Sequence, residues 1–269
     1  MEITLNRSPI KLICLSLFVS LIAIFFTLFL SFENKNRFPA YSGEVWYLFI
    51  AHPDDETMFF SPTLFTLKSV GVVLHIFCIT SGDSDGNGLI RIKELSEASN
   101  TYGIPNDHVH ILDPKGKIFV DGFVEWNITS LAEVLLKRIK QPPKGIITFD
   151  EWGVSGHPNH INCFKTIKLL TKRWNNTKFF ALQSVPLWRK YLSFFDVYLT
   201  ELLEGDKQIV CITWSGPARY LQIFKRNFLL IYSAYKIMTN HYKSQMRWFR
   251  YFYLIFSRYL YINNFVLIE

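Results

Sequence analysis

The sequence VWYLFIAHPDDE occupies residues 45–56 and joins a strand pattern to a cluster of charge. Residues 45–50 are apolar and rich in aromatics, which is typical of a buried strand. The next six residues carry one imidazole and three carboxylates, on His52, Asp54, Asp55 and Glu56. Capping of a following helix explains one Asp, because an N-cap side chain accepts hydrogen bonds from free backbone N–H groups. The whole cluster goes beyond capping and indicates a divalent-metal site.

Strand and helix patterns alternate along the chain after residue 45. The patterns predict strands at 45–50, 72–79, 109–112 and 145–149, and helices at 57–69, 91–102 and 126–140. Alternation of this kind predicts βαβ units, and therefore an α/β, Rossmann-like fold with a mainly parallel sheet and helices on both faces. Ligands of such folds bind beyond the carboxyl ends of the strands. From about residue 178 onward the pattern is too weak to define elements.

A second charged loop, DEWGVSGHPNH, follows the strand predicted at 145–149 and occupies residues 150–160. It contributes His157 and His160 at the sheet edge where His52 is expected. A catalytic zinc needs three protein ligands, and His52, one Asp of the first loop and one His of the second supply them. One Asp and one His remain. They have the right chemistry for a general base and for a donor to an oxyanion or leaving group.

The N-terminus carries an apolar segment at residues 12–32, which is long enough to cross a bilayer as a helix. We therefore divide the chain into a short tail (1–11), a transmembrane anchor (12–32), a linker (33–44) and one metal-dependent enzyme domain (45–269). A cleaved signal peptide is the alternative. It is less favoured because its apolar core is usually shorter and a small-x-small cleavage site should follow. Basic residues flank the segment on both sides, so charge does not fix its orientation.

The net charge of +7 comes largely from the C-terminal part and suits an anionic partner. A membrane surface fits better than nucleic acid, for which the sequence has no motif. The four cysteines are far apart and contain no CxxC, which argues against a disulfide framework and against a thiolate zinc site. The spacing is compatible with a cytosolic domain.

The motifs AHPDDE at 51–56 and GxxGHxxH at 153–160 resemble those of the zinc-dependent sugar-amide deacetylases of the N-acetylglucosaminyl-phosphatidylinositol de-N-acetylase family. Further patterns are similar to its eukaryotic, glycosylphosphatidylinositol-anchor branch: the apolar N-terminus, Arg91-x-x-Glu94-Leu95 after a Ser-Gly loop, and Trp248-Phe249-Arg250 near the end. The resemblance covers nearly all of the chain after residue 44.

The resemblance implies a role for each residue of the two loops. His52, Asp55 and His160 would bind the divalent metal, Zn²⁺ in this family. Asp54 would be the general base, and His157 would stabilise the oxyanion or protonate the leaving amine.

Three further positions are implied less directly. Asp150 would orient one of the imidazoles, as carboxylates behind metal ligands do. Arg91 would bind the phosphate or sugar hydroxyls of the substrate; a surface pair with Glu94 on the same helix is equally compatible with the spacing. Many bacterial members of the family have Asp where this chain has Asn159, which removes one charge behind the metal ligands. No role for Glu56 follows.

The implied function is removal of acetate from N-acetylglucosaminyl-phosphatidylinositol, the second step of anchor synthesis, at the endoplasmic reticulum membrane. The chain would be single-pass, with its catalytic domain on the cytosolic face. Its partners would be the glycolipid and the membrane, and no nucleic acid. The alternatives are deacetylation of another acetamido sugar, cleavage of a phosphoester, and a catalytically silent anchored scaffold. The aromatic-basic region at about 240–261 is either a helix against the bilayer or a helix packed as core, and a lipid substrate favours partial membrane contact.

Overall fold

Seven strands form one mixed sheet in the computed structural model, which describes residues 15–20, 39–204, 209–212 and 221–269. The strands are β1 Val45–Ile50, β2 Val73–Thr80, β3 Val109–Asp113, β4 Gly145–Phe149, β5 Lys178–Leu182, β6 Ile209–Ile212 and β7 Ile262–Leu267. Their spatial order is β3-β2-β1-β4-β5-β7-β6. Strands β1 to β5 pair in parallel, whereas β7 is antiparallel to both of its neighbours. The predicted mainly parallel α/β sheet is therefore confirmed.

The helices that the structure describes after residue 44 cover the sheet in two groups. They are α1 Asp55–Val70, α2 Gly88–Thr101, α3 Ile128–Arg138, α4 Gly153–Gly156, α5 Pro158–Thr171, α6 Leu187–Lys190, α7 Phe195–Glu204, α8 Leu221–His241 and α9 Trp248–Phe256. The chain moves from β1 to β2 and β3 on one side, then returns to β4 and β5 on the other. Right-handed crossovers in opposite directions place their helices on opposite faces. Consistent with this, α1 and α2 pack against α8, and α3 packs against α5.

The predicted transmembrane segment, residues 12–32, lies outside the described residues except for 15–20, which are helical. Among the described residues, no helix combines the length and the apolar character needed to cross a bilayer. Helix α1 begins at Asp55, two residues before the start predicted at Thr57.

The centre of the sheet is buried on both faces, as its uninterrupted apolar strands require. The indole of Trp46 in β1 stacks on the ring of Phe180 in β5, with 5.5 Å between ring centroids. It reaches across β4 at Gly145, where a Cβ atom would lie 2.3 Å from the indole. Only glycine leaves room for this contact, which holds β1 against β4 and β5.

Helix α1 carries a proline in its middle, and the C-terminal part of the chain replaces the hydrogen bond that the proline removes. Pro62 has no N–H for the carbonyl of Met58, four residues earlier. The hydroxyl of Tyr253 in α9 donates to that carbonyl at 2.9 Å. At the next residue, the Asn263 side chain of β7 donates to the carbonyl of Phe59 at 2.7 Å. The helix that begins at the charged loop is thus bound to α9 and β7.

We expect Tyr253→Phe to lower the free energy of unfolding by about 1–3 kcal/mol, because it leaves the partly buried Met58 carbonyl without a donor. In a Pro62→Ala background the new N–H can donate to Met58, so the same substitution should cost clearly less. Chemical unfolding of the four proteins of this double-mutant cycle, in detergent solution, measures the difference. Tyr251→Phe, on the exposed side of α9, is the control. An equal cost in both backgrounds would contradict the role given to Tyr253.

Candidate active site

The loops that follow β1 and β4 lie side by side because the two strands are parallel neighbours at the point where the strand order reverses. The first loop brings His52, and the second brings His157 and His160. The imidazole of His52 has its ring centroid 5.0 Å from that of His157 and 5.5 Å from that of His160. The two sequence motifs therefore form a single cluster.

Three buried side chains at the centre of this cluster are arranged to bind a cation. One ligand atom each from His52, Asp55 and His160 lie within 4.8 Å of one another. Nε2 of His160 is 3.2 Å from Oδ1 of Asp55, yet it is buried without a hydrogen-bond partner. Buried polar atoms are nearly always satisfied. A divalent ion between imidazole and carboxylate satisfies both, so the residues fit a metal.

The orientation of His160 is fixed by its other ring nitrogen. Nδ1 lies 3.1 Å from the carbonyl oxygen of Gly153. A carbonyl only accepts, so Nδ1 carries the proton and the lone pair of Nε2 points toward Asp55. Phe149 stacks on the ring with centroids 4.0 Å apart. Gly153 has φ +55°, and a Cβ atom there would lie 2.9 Å from Cβ of His160, so the loop requires glycine at this position.

The tautomer of His52 follows in the same way from two acceptors. Nε2 of His52 lies 2.9 Å from Oδ1 of Asp121 and 3.0 Å from Oδ1 of Asn159. The Asn159 amide is oriented by its Nδ2, which donates to the carbonyl of Val124 at 2.9 Å. In the neutral imidazole Nε2 therefore carries the proton, and Nδ1, 3.6 Å from Oδ2 of Asp55, is the atom that can bind a cation.

The carboxylates favour positive charge at the centre of the site. Burial lowers the pKa of His52, but hydrogen bonds to Asp121 and Asp55 outweigh it and raise the pKa to about 10. Burial raises the pKa of Asp55, but His160 and His52 outweigh it and hold that pKa well below its usual value. The pKa of Asp121 is likewise lowered, since its hydrogen bond to His52 outweighs burial. Carboxylates that stay ionised in this way also favour a bound cation.

Asp54 lies beside the triad of His52, Asp55 and His160, in a strained backbone conformation. Its φ of 106° is left-handed, which is rare for a residue other than glycine and costs about 1–3 kcal/mol. Its Oδ2 accepts a hydrogen bond of 2.5 Å from Nη1 of Arg250, and Nη2 of Arg91 is 3.7 Å away. Strain of this kind is typical of functional sites, where surrounding contacts hold a side chain in place.

Arg91 connects the first loop to the loop after β2. Its guanidinium donates to the carbonyls of Gly82 at 2.7 Å and of Pro53 at 2.9 Å. Glu94 faces elsewhere, since its carboxylate accepts hydrogen bonds from the backbone N–H and the hydroxyl of Ser244 at 2.8 and 2.6 Å. The structure therefore does not support a surface pair of Arg91 with Glu94, and it places Arg91 in the site.

Glu56, which has no role assigned from the sequence, holds the first loop through the backbone of Asp54. Its carboxylate accepts hydrogen bonds from the hydroxyls of Tyr242 at 2.5 Å and Thr57 at 2.6 Å, and from the backbone N–H of Asp54 at 3.2 Å. Burial raises the pKa of Glu56 to about 7. Its contacts are to the protein, which indicates a structural role.

Asp150 organises the second loop. Its Oδ1 accepts hydrogen bonds from the backbone N–H groups of Trp152 and Gly153 and from the hydroxyl of Ser184, at 3.1, 3.0 and 2.6 Å. Asp150 therefore acts on His160 indirectly: it holds the backbone of Gly153, and the carbonyl of Gly153 accepts a hydrogen bond from the imidazole of His160. The next residue, Val154, has a left-handed φ of 66°, so each of the two loops contains one strained residue.

His157 is held as a neutral imidazole. Its Nδ1 accepts a hydrogen bond of 3.3 Å from the backbone N–H of Asn159, so Nε2 carries the proton. Burial and the nearby His160 and His52 lower the pKa of His157 to about 4. At neutral pH the side chain therefore offers an N–H donor from Nε2.

Comparison with known proteins identifies the family to which this site belongs. The family profile described as "PIG-L: GlcNAc-PI de-N-acetylase" matches residues 47–170. The N-acetylglucosaminyl-phosphatidylinositol de-N-acetylase of Bos taurus is 36% identical over 81% of this chain and 81% of its own length. The chain belongs to the N-acetylglucosaminyl-phosphatidylinositol de-N-acetylase family. The probable enzyme of this name in Schizosaccharomyces pombe is 34% identical over 78% of this chain and 81% of its own length. Membership confirms the resemblance drawn from the sequence and the expectation of a deacetylase.

Two residues of this family member's site were missed by the sequence reasoning. Asp121 holds His52, and Arg250 holds Asp54. Asp121 lies in the irregular segment between β3 and α3, where no periodicity links it to the site. Arg250 belongs to the Trp248-Phe249-Arg250 pattern that resembles the anchor branch of the family, and this pattern is the signal in the sequence that points to it.

A cavity of about 480 Å³ adjoins the candidate site. Its lining includes Arg91 and Arg250, which contact Asp54, together with Arg247, Trp248 and Phe249. A cavity of this size accommodates a small ligand or part of a larger one.

We expect the purified protein to bind about one divalent ion per chain, and His160→Ala to lose it because a ligand is removed. Asp121→Asn should keep the ion with about 10–100-fold weaker affinity, since Asp121 binds the ligand His52 and not the ion itself. Elemental analysis after dialysis and competition with a chelator measure both. His241→Ala, outside the site, is the control. Full metal content in His160→Ala would contradict the assignment.

Proposed function

We propose that this protein hydrolyses the acetamide of N-acetylglucosaminyl-phosphatidylinositol to acetate and glucosaminyl-phosphatidylinositol, the second step of glycosylphosphatidylinositol-anchor synthesis. The observation that carries the proposal is the buried triad His52, Asp55 and His160 with Asp54 beside it, in a chain 36% identical to the bovine protein of that name. The triad provides one carboxylate and two imidazoles, which is a donor set that suits a catalytic metal with an open position.

We assign zinc to the triad because its imidazole and carboxylate ligands suit that ion. When bound, such an ion polarises the acetyl carbonyl and makes a water molecule more acidic. The two oxygens of Asp55 have separate partners. Its Oδ2 accepts hydrogen bonds from the backbone N–H groups of Ala51 and His52, at 3.1 and 2.9 Å. Oδ1 of Asp55 is left for the ion.

Asp54 acts as the general base. Its carboxylate is buried beside the triad, and Arg250 holds one oxygen in place. As the water oxygen bonds to the acetyl carbon, Asp54 takes a proton from the water. The C–N bond then breaks, and the same proton passes to the departing amine nitrogen.

His157 stabilises the negative charge that develops on the acetyl oxygen. Its Nε2 carries a proton because Nδ1 accepts from the backbone of Asn159. A neutral donor already held in place strengthens its hydrogen bond as the charge forms, which lowers the barrier.

We further propose that residues 12–32 anchor the chain in the endoplasmic reticulum membrane as a single span, with the catalytic domain on the cytosolic face. The segment's uncharged apolar sequence supports an anchor. Cys78 and Cys163 are buried free thiols, as expected from their spacing, and they are compatible with a reducing compartment.

The direct test is release of acetate from the glycolipid by the purified protein, before and after chelation and again after zinc is restored. Activity that a chelator abolishes and zinc restores supports the proposal. Turnover of a soluble N-acetylglucosamine conjugate with no need for lipid would favour a different acetamido sugar. Release of inositol phosphate in place of acetate would indicate phosphoester cleavage.

We expect Asp54→Asn to keep its metal and to lose about 10²–10⁴-fold in kcat, because the amide cannot accept the proton of water. Acetate release and metal content are measured on the same preparation. Asp107→Asn, at an exposed position, is the matched control. Near-normal turnover in Asp54→Asn would show that another residue is the base.

We expect Arg250→Met to lower kcat by about 10-fold or more with the metal retained, because Asp54 loses the group that positions it. Arg173→Met, which removes an exposed guanidinium elsewhere, should leave kcat unchanged. A loss of metal together with activity would show that Arg250 supports the triad and not Asp54 alone.

A further inference from the structure

Helix α9 presents an apolar face to the outside of the molecule. Six of its nine residues are exposed, and all six are aromatic or aliphatic: Trp248, Phe249, Tyr251, Phe252, Ile255 and Phe256. Their exposed fractions lie between 44% and 76%. Surface helices normally turn polar residues outward, and contiguous exposed apolar patches mark interaction sites.

The inner side of α9 is firmly packed, so its outer face is not exposed by a loose attachment. Tyr253 and Leu254 are buried, and the Tyr253 hydroxyl donates to the carbonyl of Met58. Arg250 points inward to Asp54. The helix therefore has one face built into the active site and one face without cover among the described residues.

The apolar face continues onto the neighbouring segment 187–195. Ser193 joins the two, because its backbone N–H donates to the carbonyl of Phe256 at 2.8 Å and its hydroxyl to that of Ile255 at 2.9 Å. Trp188 and Phe195 in this segment are 60% and 51% exposed. The surface is thus broader than one helix.

Positive charge borders the apolar face. Lys243 and Arg247 are exposed immediately before α9. No acidic residue occurs in the sequence from 243 to 268. Basic residues beside exposed Trp, Tyr and Phe are the composition of segments that lie in the headgroup region of anionic membranes. A protein partner would not require this combination of aromatic side chains and one sign of charge.

We propose that the outer face of α9 docks onto the surface of a lipid bilayer with anionic headgroups and holds the mouth of the active site there. This rests on the proposed function, in which the substrate is a glycolipid. A nine-residue helix is about 14 Å long, less than half the thickness of the hydrocarbon core, so α9 lies in the interface and does not span it. Trp248 and Phe249 belong both to this face and to the lining of the cavity beside Asp54. The sugar of a lipid can therefore enter while its acyl chains stay in the bilayer.

The contact is tested directly with a fluorescent label on the full-length protein in vesicles of phosphatidylcholine and phosphatidylinositol. Phe252→Cys places the label on the proposed docking face. Tyr41→Cys places it at a comparably exposed aromatic position before β1, at the amino-terminal end of the strands. Protein without a new cysteine, treated with the same label, supplies the background from the native thiols. Acyl chains carrying bromine quench a label only on contact.

We expect at least twofold stronger quenching at position 252 than at position 41. Equal quenching at both positions, or none at position 252, would overturn the proposal. Emission at position 252 that changes with protein concentration in detergent, without lipid, would show that a second copy covers this face, and would also overturn it.

A second measurement asks whether the contact serves catalysis. The double variant Phe252→Ser, Ile255→Ser removes two exposed side chains that are not among the cavity lining or the catalytic residues. We expect kcat/KM to fall about tenfold on substrate embedded in a bilayer, because burial of two apolar side chains is lost. On a water-soluble short-chain analogue it should stay within twofold, as should Tyr41→Ser on both substrates.

An equal fall on both substrates would mean that α9 only positions Arg250, and the docking role would be abandoned. If the wild-type protein deacetylates neither substrate, the proposed function fails. The quenching contrast between positions 252 and 41 still decides whether α9 contacts the bilayer, because it does not depend on turnover.

Discussion

Three consecutive carboxylates are buried just beyond the end of β1, and much of the structure serves to offset the free-energy cost of burying their charge. Asp54, Asp55 and Glu56 are 3%, 2% and 0% exposed. An uncompensated buried charge costs several kcal/mol, so each carboxylate needs its own partner. Asp55 has two imidazoles, Asp54 has a guanidinium, and Glu56 has hydroxyl donors and a raised pKa. Neighbours in sequence thereby acquire different chemistry.

These partners come from distant parts of the chain. Arg250 is 196 residues from Asp54, and Tyr242 is 186 residues from Glu56. The Met58 carbonyl, which Pro62 leaves without an N–H partner, and the adjacent Phe59 carbonyl accept hydrogen bonds from the same C-terminal region, through Tyr253 and Asn263. The region in which sequence periodicity is weakest is therefore the region that holds the first loop in shape. The parallel sheet alone brings the ligands together but does not orient Asp54.

The part of the site predictable from the sequence is the part that follows from topology. Parallel strands place their carboxyl ends at one edge, so two charged loops after β1 and β4 were expected to meet, and His52, Asp55 and His160 do meet. Asp121 was not predictable, because it reaches His52 from an irregular segment that no strand or helix pattern positions. The antiparallel strand β7 was missed for a related reason: its Asn263 and Asn264 are buried in hydrogen bonds, which breaks the apolar pattern of a core strand.

The aromatic-basic region near the C-terminus illustrates why composition alone left two interpretations. Core packing and bilayer contact both select aromatic side chains, and they differ only in the direction in which each side chain points. In α9, Tyr253 and Leu254 point inward and complete the core, while Trp248, Phe252 and Ile255 point outward. Arg250 lies between the two sets and contacts Asp54. Because a helix is stiff over two turns, a displacement of its outer face must also move the guanidinium that positions the proposed base. The surface suited to a membrane and the group that places Asp54 are thus two sides of one rigid element.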